Sequence, residues 1–175
     1  WLEWRHRGIG ASDAPIVMGE NPWKSAKGLR WEKRGRAKDP SQNAAMARGT
    51  LLEPQARRRY VLRRGIHVQP ACIQSTQNDW FRASVDGIAA DGHLIVEIKC
   101  GEKVYEHTAR HRCVPDYYYG QCQHVLAITC LESLDFWCYL PGRPAVLLRV
   151  DRNDNYIDRL VDAEFRFWQN VRKAA

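Results

Sequence analysis

No stretch of this sequence approaches the roughly 18 consecutive apolar residues that a membrane-spanning helix needs. Its first residues, WLEWRHRGIGASD, lack the apolar centre of a secretory signal. No internal repeat, low-complexity tract or Cys-x-x-Cys pair is present. These absences exclude a helical membrane protein, a repeat array and the commonest zinc and redox motifs. The chain does not begin with Met, so a short preceding stretch is expected.

What is there is ordinary for a globular protein: 175 residues, 45% hydrophobic and 27% charged, enough for one domain with its own core. Cys72, Cys100, Cys113, Cys122, Cys130 and Cys138 read as free thiols in a reducing cytoplasm, because nothing else points to secretion. Lysine and arginine number 27 against 20 acids, a formal charge of +7. That balance favours a polyanionic partner without identifying it.

Along the chain, Ser12 and Asp13 are placed to cap a short helix that Gly19 ends, and Ser25 to start another running to Gly35. The polar RGRAKDPSQN is a loop, and a long helix is expected over about 42–64, stopped by Gly65. Strands are expected around 67–68, 72–75, 81–85 and 94–100, then a helix over 116–129. Two antiparallel strands, LDFWCYL and AVLLRV, and an amphipathic helix over about 153–173 complete the chain. This order predicts an α/β fold, an α/β/α sandwich around a mixed central sheet.

The chemistry concentrates in Ser84-Val85-Asp86-Gly87 and Val96-Glu97-Ile98-Lys99. Side chains two apart on a strand share a face, so Glu97 and Lys99 point together while Val96 and Ile98 point away. A hairpin at Asp91-Gly92 would bring Asp86 beside Glu97. Two carboxylates and a lysine suit a hard cation and a water, since Mg²⁺ takes oxygen ligands and keeps several waters. Asp-Gly turns and Glu-x-Lys pairs are also common on exposed hairpins. Here, however, Glu97 and Lys99 interrupt a strongly apolar strand, which points to a buried site.

The pattern S-V-D-G…V-E-I-K-C resembles the PD-(D/E)xK nuclease motif. R-H-R-G-I-G-A-S-D with M-G-E-N-P-W, then R-G-T-L-L-E at 48–53 and Y-G-Q-C-Q-H at 119–124, resemble the YqaJ-type viral recombinases, relatives of phage lambda exonuclease. The motifs run in family order from Arg5 to His124; the last third matches only in outline. Ala11 departs from the usual Gly.

The resemblance implies a restriction-endonuclease-like core at about 45–140 in a single nuclease domain spanning 1–175. It implies that Asp86 and Glu97 bind the metal with the Ile98 carbonyl, that Lys99 orients or activates the attacking water, and that Glu53 reaches the site through water. Gln121 and Gln123 lie on the helix over the site, Gln123 being taken as the nearer. Arg5 and Ser12 would engage a terminal 5′-phosphate. The activity implied is Mg²⁺-dependent 5′-to-3′ digestion of one strand of duplex DNA, with Mn²⁺ able to substitute. The assembly implied is a ring-shaped homotrimer, working in a bacterial cytoplasm with a single-strand annealing protein in phage recombination.

An endonuclease on the same scaffold, or a DNA-binding module without catalysis, are the alternatives; the presence of all the acids and Lys99 argues against the latter. Arg57-Arg58-Arg59 and Arg63-Arg64 read as a solvated helix face, and the basic run at 33–38 as a DNA-backbone contact. His107, His111 and Cys113 lack a fourth zinc ligand at suitable spacing.

Overall fold

The computed structural model describes residues 2–37 and 44–173. Its opening segment comprises α1 (Leu2–His6), β1 (Ile9–Gly10), a 3-10 turn (Ala11–Asp13), α2 (Ala14–Val17) and α3 (Ala26–Lys33). Then follow α4 (Ala44–Arg64), β2 (Val68–Gln74), β3 (Phe81–Ala89), β4 (Ile95–Lys99), α5 (Glu102–His111) and α6 (Asp116–Thr129). The chain closes with β5 (Ser133–Cys138), β6 (Val146–Asp151) and α7 (Asp154–Arg172). Ser25 caps α3 as expected, its hydroxyl accepting from the Gly28 amide. The α5 helix was not foreseen: EKVYEHTARH buries only Val104, Tyr105 and Thr108, too thin a stripe to stand out in sequence.

The strands form one mixed sheet with β3 at its heart. Arg82 pairs with Gln74 of β2 and with Gly10 of β1, while Ile88 pairs with Gln69 of β2 and Ile95 of β4. Two partners for one residue lie on opposite edges, so β1 and β4 share the edge of β3 away from β2. They meet it at different ends, and between Arg82 and Gly87 no described strand pairs on that edge. Beyond β4, β5 is parallel and β6 antiparallel.

The two short strands expected at 67–68 and 72–75 are one strand, β2. Pro70, between the two expected segments, sits where the β2–β3 register slips: Gln69↔Ile88 is followed by Ala71↔Val85. Three steps on β3 against two on β2 make a bulge at Asp86-Gly87, opposite a residue with no N–H to offer.

Strand alternation divides the core. Val96, Ile98, Trp137 and Tyr139 face α4, meeting Ala56 and Tyr60. Ile95, Leu134, Phe136 and Cys138 face the other way, against α5, α6 and the start of α7. Helices on both faces make the α/β/α sandwich that the sequence pattern implied. Helix α6 is the most deeply set, buried continuously from Gly120 to Leu126. Its His124 is fully buried, its ring nitrogens 2.7 Å from a Glu164 carboxylate oxygen and 2.8 Å from the Arg82 carbonyl. All six cysteines are free, as expected, and Cys130 is exposed at the end of α6.

Candidate active site

The gap on the β3 edge is where the site forms. The β3–β4 ladder ends at Gly87↔Val96, so Asp86 and Glu97 are the next residues out, where the two strands stop pairing. In place of a backbone partner, the Ile98 amide donates to Asp86 Oδ2 at 2.7 Å. On a strand, one residue's N–H and C=O point to the same edge. The Ile98 carbonyl therefore also faces this gap, beside the Asp86 carboxylate. Gly87 completes the corner: an added Cβ would stand 2.7 Å from a Val96 methyl and 2.8 Å from a Val68 methyl, so only glycine fits.

Glu97 and Lys99 share the α6 face, as the two-residue period requires. Lys99 Nζ lies 2.6 Å from Glu97 Oε1 and 3.3 Å from Gln121 Oε1, and the Gln121 amide nitrogen donates to Glu97 Oε1 at 2.6 Å. The Gln121 amide is thereby fixed, its NH₂ toward the carboxylate and its oxygen toward the ammonium. Lys99 Nζ also sits 4.3 Å from the centre of the Tyr118 ring, a cation–π contact. Glu97 is 2% exposed, confirming that this strand carries its charges inward.

Glu53 approaches from α4. It forms an ion pair with Arg57, one turn later, and Arg57 Nε donates to the Asp86 carbonyl at 2.6 Å. Arg57 is thus no member of a solvated face, though Arg58 and Arg59 are exposed. Its signal was available in the four-residue spacing from Glu53, which puts both on one side of the helix. Tyr118 was missed too; it lies one turn before Gln121 on the buried side of α6.

Gln123, expected nearer the site, is elsewhere. Its amide donates to the Asp151 carbonyl at 2.9 Å and accepts from the Asn153 N–H at 2.9 Å, tying α6 to the β6–α7 junction. On a helix, residues two apart point to different sides, so only one of the two glutamines can face Glu97.

The electrostatics are lopsided. Burial pushes Glu97 up to about 7, with Asp86 and Glu53 adding to the rise and Lys99 opposing it. Burial likewise raises Asp86, against the pull of Lys99 and Arg57. Glu53 is raised by burial and by Asp86. For Lys99, burial disfavours the charge, but Glu97, Tyr118 and Asp86 outweigh it and hold the ammonium above its usual range. Three crowded carboxylates with hard oxygen donors fit a divalent cation. No three His, Cys, Asp or Glu side chains among the described residues converge closely enough to hold one alone. Asp86, Glu97, the Ile98 carbonyl and water make a set that Mg²⁺ accepts.

Arg5 and Ser12 do come together: Arg5 Nη2 donates to Ser12 Oγ at 3.2 Å, and both reach the surface. The 3-10 turn carrying Ser12 packs on α6 and β3. Neither Ser12 nor Asp13 caps α2 through its side chain; Asp13 instead closes the start of the 3-10 turn, accepting from the Gly10 amide at 3.0 Å. Asp13 is fully buried, with Lys33 Nζ 2.6 Å and Arg5 Nη2 3.6 Å away. Lys33 also donates to the Arg5 carbonyl at 2.9 Å. Within the basic run at 33–38, Lys33 is buried and Arg34 bonds the Asn170 and Val171 carbonyls, so these two do not form a DNA-facing stripe; Arg36 is exposed, and Lys38 lies outside the described residues.

The family pattern described as a YqaJ-like viral recombinase domain matches residues 1–132. The uncharacterized protein YqaJ of Bacillus subtilis (strain 168) is 30% identical over 175 residues, covering 97% of this chain and 55% of that protein. The chain thus spans about half the length of that relative. The alkaline exonuclease LHK-Exo of Laribacter hongkongensis superposes with a TM-score of 0.85 at 28% identity, over 98% of this chain and 93% of that one. Its complex with dAMP gives a TM-score of 0.87 at the same 28% identity, over 99% and 92%. A phage related exonuclease from Haemophilus somnus 129PT, at 14% identity and a TM-score of 0.71 over 99% of both chains, shares the fold. No described helix is long and apolar enough to cross a membrane.

Proposed function

The chain belongs to the YqaJ-like viral recombinase domain family, and from that premise we propose that it is a divalent-metal-dependent exonuclease of double-stranded DNA. The reading is carried by one arrangement: Asp86, bound to the Ile98 amide where β3 and β4 part, beside the Glu97–Lys99–Gln121 cluster. The likeness to an alkaline exonuclease over nearly the whole chain supports it.

Asp86, Glu97 and the Ile98 carbonyl would hold Mg²⁺, or Mn²⁺ in its place, with Glu53 reaching it through water. Bound there, the cation supplies positive charge that acidifies water and offsets charge on the phosphate. Lys99, steadied by Gln121 and Glu97, orients the attacking water and stabilises charge developing on the phosphoryl oxygens. Arg57 fixes both Glu53 and the Asp86 backbone, so the acids keep their spacing. Water forms the new bond to phosphorus as the bond to the 3′ oxygen breaks, and that oxygen leaves with a proton. The shortened strand keeps a 5′-phosphate, the group that Arg5 and Ser12 would bind before the next cut.

Digestion thus runs 5′ to 3′ and leaves a 3′ single-stranded overhang for single-strand annealing in phage-type recombination. We assign this to the whole chain as one nuclease domain, residues 1–175, with its catalytic core at about 45–140. It would act as a homotrimer with an annealing partner in the bacterial cytoplasm. The test uses linear duplex DNA labelled at either end, with and without a 5′-phosphate, in Mg²⁺ and in EDTA. Metal-dependent shortening from the 5′ end, faster with the phosphate, is expected. Equal cutting of closed circles would make the protein an endonuclease, and binding without cleavage an inactive module.

A further inference from the structure

We propose that Trp23 and Tyr117 form a nucleobase-stacking step beside the candidate active site, occupied by a base of the DNA strand flanking the scissile phosphate; its placement next to chemistry rests on the nuclease reading above. Trp23 is 69% exposed, while Trp80, Trp137 and Trp168 are buried. So large an apolar ring is normally covered. Here the surrounding loop holds it out. Asn21 Oδ1 accepts from the Trp23 and Lys24 amides, each at 2.9 Å, which fixes the turn. Lys24 is ion-paired to Glu32 of α3, and Glu20 on the other side accepts from Tyr156 of α7 at 2.7 Å. The loop is tied at both ends and within, so Trp23 is presented rather than loosely exposed.

The ring does not stand alone. It meets Tyr117 in a T-shaped contact, centroids 4.9 Å apart and planes at 75°, and the indole remains largely open to solvent at this corner. Tyr117 touches Tyr118 at 4.8 Å, and Tyr118 lies 4.3 Å from Lys99 Nζ. Three ring contacts therefore connect the exposed indole to the candidate catalytic lysine. That continuity selects a base over a protein side chain as the occupant, because what reaches Lys99 under the nuclease reading is a DNA strand. Aromatic faces stack on any base, so the step would grip strand after strand without reading sequence.

The test measures binding apart from cleavage. Fluorescence anisotropy in EDTA compares the intact chain with Trp23→Ala, Trp23→Phe and Tyr117→Ala. The probes are a labelled oligothymidylate and an oligomer of equal length with abasic sugars. Trp23→Ala should weaken oligothymidylate binding about tenfold, Trp23→Phe should restore most of it, and the abasic oligomer should bind every variant alike. Unchanged melting temperatures would show that the variants fold. Equal affinity of Trp23→Ala and intact protein for oligothymidylate, an equal loss on the abasic oligomer, or no binding by the intact chain would overturn the proposal. Cleavage of duplex DNA in Mg²⁺ is scored separately. Cleavage without a Trp23-dependent base effect sinks the stacking step alone, and base binding without cleavage sinks the nuclease assignment alone.

Discussion

Two of the buried charge clusters in this protein, around Asp13 and around Glu97, are built to opposite rules. Around Asp13, one carboxylate meets two cations: burial alone would raise its pKa, but Lys33 and Arg5 outweigh it and hold the carboxyl below its ordinary value. Around Glu97, three carboxylates share Lys99 and Arg57, and burial leaves all three carboxylates raised. A balanced cluster is complete and can act as a strut. A cluster short of positive charge is poised for a cation from outside, and it sits where the sheet has been opened rather than closed.

The sharpest break in that comparison is Lys99→Ala. It should lower the cleavage rate by about a hundredfold or more while DNA binding changes little, measured by single-turnover hydrolysis and by anisotropy; a parallel loss of both would make Lys99 a binding residue only. Next in size is Asp13→Asn, which strands the buried Lys33 ammonium. It should cost about 3–5 kcal/mol in urea denaturation, and adding Lys33→Met should recover part of that. If the double variant is no better than the single, the cluster is not a balanced pair.

The two glutamines of α6 separate chemistry from framework at smaller scale. Gln121→Ala should slow cleavage with little loss of stability, since Lys99 still partners Glu97. Gln123→Ala, which strands the Asn153 amide and the Asp151 carbonyl, should cost about 1–3 kcal/mol and leave the rate per folded molecule unchanged. The last effect is one of pH on the metal-free protein. Glu97 is raised from an ordinary 4.5 to about 7, so its contribution to stability is present below 4.5 and lost as pH rises through about 7. Asp13 is lowered, so its contribution is kept above its ordinary 3.8 and lost only as pH falls further. Melting in EDTA should therefore weaken between about pH 4.5 and 7 in the intact chain and less in Glu97→Gln. Added Mg²⁺ should raise the melting temperature of the intact chain but not that of Asp86→Asn.

Much of this was legible along the chain because it depends on local periods. The two-residue repeat of a strand places Glu97 with Lys99 and sends Val96 and Ile98 to the opposite face, whatever the rest of the fold does; that face packs on α4. The Asp91-Gly92 turn was readable for the same reason, Gly92 adopting φ +75 as such turns require. Arg5 and Ser12, seven residues apart, were expected together and are hydrogen-bonded. Gln121 and Gln123 stood out as a pair, but which one faces Glu97 depends on how α6 is rotated against the sheet, and no local period fixes that. Arg57 looked like one of five similar arginines until packing put it against the Asp86 carbonyl.

The sequence by itself determined most of the elements, though not α5 or the unity of β2, along with the alternation that turns two charges into an apolar core and the residue types fit for a hard cation. Only the tertiary structure decided that β1 and β4 share one edge of β3 and leave a gap between them, that the bulge opposite Pro70 falls at Asp86-Gly87, and that Ile98 therefore gives its amide to a carboxylate. The reason is physical: side-chain period is a property of a single strand, whereas an unpaired edge exists only once several strands, far apart in sequence, have taken their places.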